Sequence, residues 1–207
     1  MFFGVLKFMA FKYSCVLTGG IATGKSTVCS FLNKHGFSII DADIVAKEQL
    51  ENSKKELKKL FGETIFNGSI IDRKKLADII FNSEEERKKL NNLIHPKVRL
   101  ELEKRALEKS KDNIPYIVDI PLFFESKIYD CELSVVVYTP RDIQTKRLMK
   151  RESITKEEAI KRVNSQIDID KKRRMADLLI DNSLDKKHLE EEIEKFIKYV
   201  KKERICK

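Results

Sequence analysis

Gly19-Gly20-Ile21-Ala22-Thr23-Gly24-Lys25-Ser26-Thr27 decides how this chain reads. Gly19, Gly24, Lys25 and Ser26 stand at the spacing of a glycine, four free positions, a glycine, a lysine and a hydroxyl residue, the pattern of a phosphate-binding loop. Glycines let such a loop curl until successive N–H groups point at one centre, and the helix that follows adds its positive end. Lys25 is then placed to reach β- and γ-phosphates, and Ser26 to offer its hydroxyl oxygen to Mg²⁺. A glycine-containing turn between a strand and a helix would share these letters, so the flanks matter. Tyr13 to Leu17 upstream is strand-like and Val28 to Lys34 downstream is helix-like, as the loop requires. The stretch reads as a nucleoside triphosphate site and leaves the reaction open.

Composition narrows the field. A chain of 207 residues suits one domain, or one domain with an insertion. Hydrophobic residues at 42% and charged residues at 36% fit a soluble α/β protein with many exposed helices. No apolar run approaches a membrane span, so no membrane partner is expected. Met1 to Phe11 is apolar apart from Lys7, but no small-residue cleavage site precedes the strand; residues 1–11 read as an N-terminal extension, and Met9 is an alternative start. Cys15, Cys29, Cys131 and Cys206 lie far apart, as thiols in a reducing cytoplasm do. The net charge of +9 invites a nucleic-acid reading. Lysines, however, alternate with glutamates as on solvated helix faces, for example over Glu84 to Lys89. Arg141, Arg147, Arg151, Arg162, Arg173 and Arg174 cluster in the last third, which suits an anionic small molecule and not a duplex.

Taken in order, a strand over Ser14 to Thr18 feeds the loop, and the first helix ends near His35-Gly36, with Gly36 suited to a left-handed turn and His35 on the surface. A second strand, Phe37 to Ile40, delivers Asp41-Ala42-Asp43 to its C-terminal end, where open parallel sheets bind ligands. Asp41 suits the cap of a helix over 44–50, which leaves Asp43 to face the site. From there to Lys111 the chain is helical and charged. Asp72 caps one helix, Ser83 with Glu86 signs the start of the next, and Pro96 opens a further one in its first turn. His95 would then precede that helix and Arg99 lie one turn in. A lone histidine before proline serves structure or ligand, and the pattern leaves both open. So long an insertion suits a substrate domain.

Ile114 to Ile120 reads as a buried strand ending at Asp119. An aspartate after an apolar run resembles the second signature of phosphate-loop enzymes, where the carboxylate holds Mg²⁺ through water; capping a loop is the alternative. Glu125 pairs with a base or caps the next segment. After the strand Leu133 to Tyr138, Thr139 is the expected cap and Pro140 the first turn of a helix with Arg147 and Arg151 on one face. Thr155 and Glu158 open another, carrying Arg162 and Gln166. These two helices read as a lid over about 148–166 that closes arginines onto a phosphoryl group; solvated basic faces are the alternative. Leu178 to Ile180 is the last strand, with Asn182 beside the loop that holds a base. A final helix from Asp185 carries the stripe Leu189, Ile193, Phe196, Val200. The expected fold is α/β, a P-loop NTPase-type three-layer α/β/α with a mostly parallel five-stranded sheet. Residues 12–42 and 112–207 form its core and 43–111 a helical acceptor-binding insertion.

Together Leu17 to Thr27, Ile40 to Asp43, Leu93-Ile94-His95-Pro96, Pro121 to Glu125 and Ala176 to Asn182 resemble the dephospho-CoA kinase family, from Tyr13 to about Asn182. Two positions depart from the family's habit: Ala22, commonly glycine, and Thr23, commonly serine. The resemblance implies ATP-dependent phosphorylation of the ribose 3′-hydroxyl of dephospho-CoA, with Mg²⁺. It implies Gly20, Ala22, Thr23, Gly24, Lys25, Ser26, Thr27, Arg147 and Asn182 on the nucleotide, and Ser26 with Asp119 on the metal. Asp43 would be the base or hydroxyl-orienting group, His95 and Arg99 would hold the acceptor, and Arg151 and Arg162 would act on substrate from the lid. Asp43, Lys25 and Arg147 are then the catalytic set. The chain is expected to act as a monomer or weak homo-oligomer. The runner-up is another small-molecule or nucleoside monophosphate kinase of the same fold. A GTPase-type switch lacks its Asn-Lys-x-Asp signature here.

Overall fold

The structure, a computed structural model, describes residues 11–126, 129 and 131–205; the reading of the N-terminal extension falls mostly outside them, as does Cys206. Numbered along the chain, the strands are β1 (Ser14–Gly19), β2 (Ile39–Asp41), the short pair β3 (Phe66–Asn67) and β4 (Ile70–Ile71), β5 (Tyr116–Asp119), β6 (Ser134–Tyr138) and β7 (Leu178–Asp181). The helices are α1 (Lys25–Lys34), α2 (Ala42–Asn52), α3 (Lys54–Phe61), α4 (Arg73–Asn82), α5 (Glu84–Ser110), α6 (Phe123–Ser126), α7 (Arg141–Glu152), α8 (Lys156–Asn164), α9 (Ile169–Met175) and α10 (Lys186–Ile205).

Every residue of β1 is buried, which a central strand covered on both faces requires. It pairs in parallel with β5 on one side and β6 on the other; β2 extends the sheet beyond β5 and β7 beyond β6, giving the order β2-β5-β1-β6-β7. All these pairings are parallel, so the five-stranded sheet is the expected one. Because side chains alternate along a strand, Cys15, Leu17, Ile117, Val135, Val137 and Ile180 share one face. They meet Val28 and Leu32 of α1 and the stripe Leu189, Ile193, Phe196 and Val200 of α10. Burying such a side chain stabilises by roughly 1.5–3 kcal/mol, so this stripe alone anchors the final helix. Tyr116 points the other way: its hydroxyl donates to the Ala106 carbonyl at 3.1 Å, near the end of α5. Helices thus cover both faces of this sheet, and the part of the chain that bears it has three layers.

The sheet-bearing unit runs to Asp41 and resumes at Glu103; residues 42–102 form a second compact unit. That second unit holds α2, α3, α4, the β3–β4 hairpin and most of α5. Inside it Lys97 Nζ donates to Ser53 Oγ at 2.7 Å and pairs with Glu56 at 2.8 Å. Asp72 caps α4 by accepting the Lys75 N–H at 3.1 Å, as its position promised, and Ser83 Oγ accepts the Glu86 N–H at 3.2 Å. Among the described residues no helix is long and apolar enough to cross a membrane.

Local signals failed at three helix ends. Pro96 does not open a helix; it lies inside α5, which runs unbroken from Glu84 to Ser110. Proline cannot donate to the Asn92 carbonyl and costs about 3 kcal/mol inside a helix. Leu90, Ile94, Val98, Leu102 and Ala106 are nevertheless buried at every fourth position on both sides of it, and that packing carries the helix through. His95 and Arg99 are therefore mid-helix residues one turn apart. Thr139 does not cap α7: Pro140 occupies that position without a side-chain bond. Gln166 lies beyond the end of α8 at Asn164.

The continuous stripe sets the phase of α5 and makes a testable distinction. Leu102→Ala, at a fully buried position, should lower the unfolding free energy in urea by about 2–5 kcal/mol. Leu100→Ala, at a position 69% exposed, should change it by no more than about 0.5 kcal/mol. Equal losses would mean that the helix phase breaks at Pro96.

Candidate active site

β1 ends at Gly19 and α1 begins at Lys25, so five residues turn the chain from the sheet into the helix. The turn is tight. Gly24 sits at φ 87°, and a Cβ there would run into Asn182 Nδ2, which leaves only glycine. Ala22 adopts φ 59° without being glycine, a left-handed backbone that costs roughly 1–2 kcal/mol. Thr23 ties the loop to itself, its Oγ1 donating to the Gly20 carbonyl at 2.9 Å. Ser26 and Thr27 are exposed on the first turn of α1, where the helix end presents positive charge.

The strand register brings in the carboxylate. Leu17 stands opposite Asp119, so Asp119 emerges from the row that carries Ile117, on the α1 side of the sheet. It is 6% exposed, and the Lys25 ammonium pairs with its Oδ1. Cys29, one turn further along α1, reaches Oδ2 at 3.4 Å with its thiol. Burial raises the Asp119 carboxyl above its usual range, against the pull of Lys25. Burial, then the Asp119 charge, pushes the Cys29 thiol up to about 12.

Opposite lies a second network. Asn182 is buried and donates through Nδ2 to the Thr23 carbonyl at 2.7 Å. Arg147 donates to the Asn182 carbonyl at 2.9 Å and to Thr139 Oγ1 at 3.2 Å. The Thr139 hydroxyl itself lies 3.1 Å from the carbonyls of both Thr23 and Asn182, which is where it goes in place of capping α7. Gln144, also buried, donates to the Thr139 carbonyl at 2.8 Å. Asp177, from the Ala176–Asn182 motif, accepts both the amide and the hydroxyl of Ser134, at 2.7 and 2.6 Å, and so ties the start of β6. Beside the loop, Gly20, Arg141, Gln144, Gln166, Lys171 and Met175 border a cavity of about 570 Å³, a volume that suits a small-molecule site.

The expected residues divide into three groups. Gly20 to Thr27, Asp119, Arg147 and Asn182 are brought together around the loop. Arg151 and Arg162 both turn onto Glu152, Arg151 at 2.7 Å, and are about half exposed. Ser153 at φ 53° ends α7, and a complete Thr155–Glu158 capping box starts α8, as expected. The remaining three lie in the other unit: Asp43 exposed in the first turn of α2, two residues past the end of β2, with His95 exposed and Arg99 half-buried on α5.

Sequence reasoning missed Lys172. It is fully buried, yet it sits in Lys171-Lys172-Arg173-Arg174, a run that looks like a solvated basic face. Its Nζ donates to the Gly19 carbonyl at 2.8 Å and pairs with Glu125 at 2.7 Å. Glu125 thus has the basic partner expected as one of its two options. Nothing in the local spacing marks Lys172, because its partners are contributed by β1 and by the segment after β5.

Comparison with known proteins agrees with the motifs. The sequence model of the dephospho-CoA kinase family matches residues 13–188. A dephospho-CoA kinase of Sulfurimonas denitrificans is 45% identical over 93% of this chain and 96% of its own length. One from Helicobacter pylori is 40% identical over 92% of this chain and 98% of its own. The solved structure of a dephospho-CoA kinase from Campylobacter jejuni superposes with a TM-score of 0.75 at 36% identity, covering 92% of this chain and 98% of that one. Likeness of this extent takes in the loop, the insertion and the last strand at once, and the chain therefore belongs to the dephospho-CoA kinase family.

Proposed function

We infer that the chain transfers the terminal phosphoryl group of ATP to the ribose 3′-hydroxyl of dephospho-CoA, giving CoA and ADP, the last step of coenzyme A formation. One observation carries the mechanism: Lys25, the lysine of the phosphate loop, is paired with the buried carboxylate of Asp119. The 3′-oxygen attacks the γ-phosphorus as the bond to the β,γ-bridging oxygen breaks, ADP leaves, and the hydroxyl proton passes to a carboxylate. Most of the catalysis in such transfers is positioning and charge stabilisation.

In this reading the loop amides from Ala22 to Thr27 cradle the phosphates, and Lys25 swings from Asp119 to the β- and γ-oxygens. A buried carboxylate left alone is costly, so a cation has to take the place of the ammonium. The Asp119 carboxylate and the Ser26 hydroxyl are oxygen donors of the kind Mg²⁺ prefers, and the ion would neutralise charge on the β- and γ-phosphates. Arg147, already beside the loop through Asn182 and Thr139, extends its fork to the nucleotide, with Asn182 flanking the base. Asp43 orients the 3′-hydroxyl and takes its proton. Its exposure in the first turn of α2, just after a strand of the sheet, supports this role. His95 and Arg99, one turn apart on α5, hold the acceptor. α7 and α8 act as the lid. Arg151 and Arg162 are about half exposed where they pair with Glu152, and water screens such pairs, so substrate phosphates displace Glu152 easily. The setting is the reducing cytoplasm, consistent with four cysteines that lie far apart along the chain; the working form is a monomer or weak homo-oligomer. Neither nucleic acid nor a membrane takes part.

A panel of acceptors with ATP tests the substrate: dephospho-CoA should turn over and nucleoside monophosphates should not, and the reverse would reject the reading. Asp43→Asn should lower kcat by about 10²-fold or more with the ATP Kd nearly unchanged; near-normal kcat would remove Asp43 from its role. Lys25→Ala should abolish most turnover by losing phosphate contacts. Arg147→Lys should also slow the reaction, because a fork of donors becomes a point charge. Finally, a thiol at about pKa 12 holds roughly a thousandfold less thiolate at pH 8 than an ordinary one. Mass-spectrometric mapping after iodoacetamide should therefore find Cys29 almost unmodified; labelling at the rate of a free thiol would contradict its pairing with Asp119.

A further inference from the structure

The face of the phosphate loop turned towards Lys172 and Gln166 carries contacts that the transfer chemistry does not use. Lys172 has no exposed surface, and an ammonium is buried at a cost that an apolar side chain would avoid. Its Nζ donates to the Gly19 carbonyl at 2.8 Å and pairs with Glu125 Oε1 at 2.7 Å. The same Oε1 accepts the Ile167 N–H at 3.1 Å. One residue earlier, Gln166 Oε1 accepts the Ile21 N–H at 2.8 Å. The Gly19 carbonyl belongs to the peptide plane before Gly20, and the Ile21 N–H to the plane after it. Gly20 has no Cβ to restrict either plane. Residues 166–172 therefore pin the peptide planes on both sides of Gly20.

We propose that residues 166–172 form a clamp that sets the shape of the phosphate loop for ATP, with Lys172 and Gln166 as positioning residues and the partly buried Glu125 as the counter-charge of Lys172. This rests on the reading of the loop as the triphosphate site. The Gly19 carbonyl held on Lys172 cannot turn its negative end toward the phosphates, and the amides that follow stay aimed at one centre. The loop then needs no reorganisation when ATP arrives, which is how oriented dipoles become effective.

The test compares Gln166→Met, which keeps the length and loses the acceptor, with the double variant Lys172→Met/Glu125→Met, which keeps the volume and removes both charges. Each should show kcat/KM for ATP reduced on the order of tenfold or more, with KM for dephospho-CoA within about twofold of wild type. The melting temperature of the double variant should stay near or above wild type, since it leaves no lone buried charge. Wild-type ATP kinetics in either variant would remove that residue's share of the clamp, and equal loss for both substrates would make the contacts merely structural. Gln166 is only half-buried, so its variant decides the matter where the double variant does not fold. Direct ATP titration of Lys25→Ala separates the two readings. Undiminished ATP binding there would overturn the triphosphate site itself. Lost binding there, with clamp variants like wild type, would overturn only the clamp.

Discussion

The ion pair between Lys25 and Asp119 is the constraint on which the site depends. Each partner is supplied by a different element, the lysine by the start of α1 and the carboxylate by the end of β5. Only the parallel register, with Leu17 opposite Asp119, brings them together. The buried Asp119 carboxylate is costly at that depth alone, so the pair ties the loop to the sheet and holds both groups ready to exchange partners. Cys29 completes the environment of the carboxylate, and its thiol remains neutral there.

Around that pair the loop is shaped from two sides. Asn182 lies so close to Gly24 that no side chain fits, and Arg147 and Thr139 brace the same corner. From the other side Lys172 and Gln166 take hold of the peptide planes next to Gly20. Ala22 tolerates its left-handed backbone because these contacts over-determine the turn. A phosphate site of this kind is a matter of dipole direction more than of side-chain identity.

α5 illustrates how packing overrides local preference. Pro96 carries a strong signal for a helix boundary, and on that signal the chain was expected to start a new helix. The apolar period of four continues through it, and burial of those side chains outweighs the missing hydrogen bond. Thr139 teaches the same lesson on a smaller scale: a residue with the chemistry of a cap turns its hydroxyl to the carbonyls of Thr23 in the phosphate loop and Asn182 just after β7.

The chain's own letters determined the phosphate loop, the alternating rows that build a parallel sheet, the capping of α4 and α8, and the stripe of α10, because each depends on residues within a few positions of one another. The ordered motifs from Leu17 to Asn182 also carried the family. Tertiary structure alone decided that Asp119 meets Lys25, that Arg151 and Arg162 gather on Glu152, and that one lysine in a basic run lies fully buried against Gly19 and Glu125. The physical reason is range: periodicity and capping act between near neighbours, whereas a buried charge is stabilised by partners whose separation along the chain leaves no local trace.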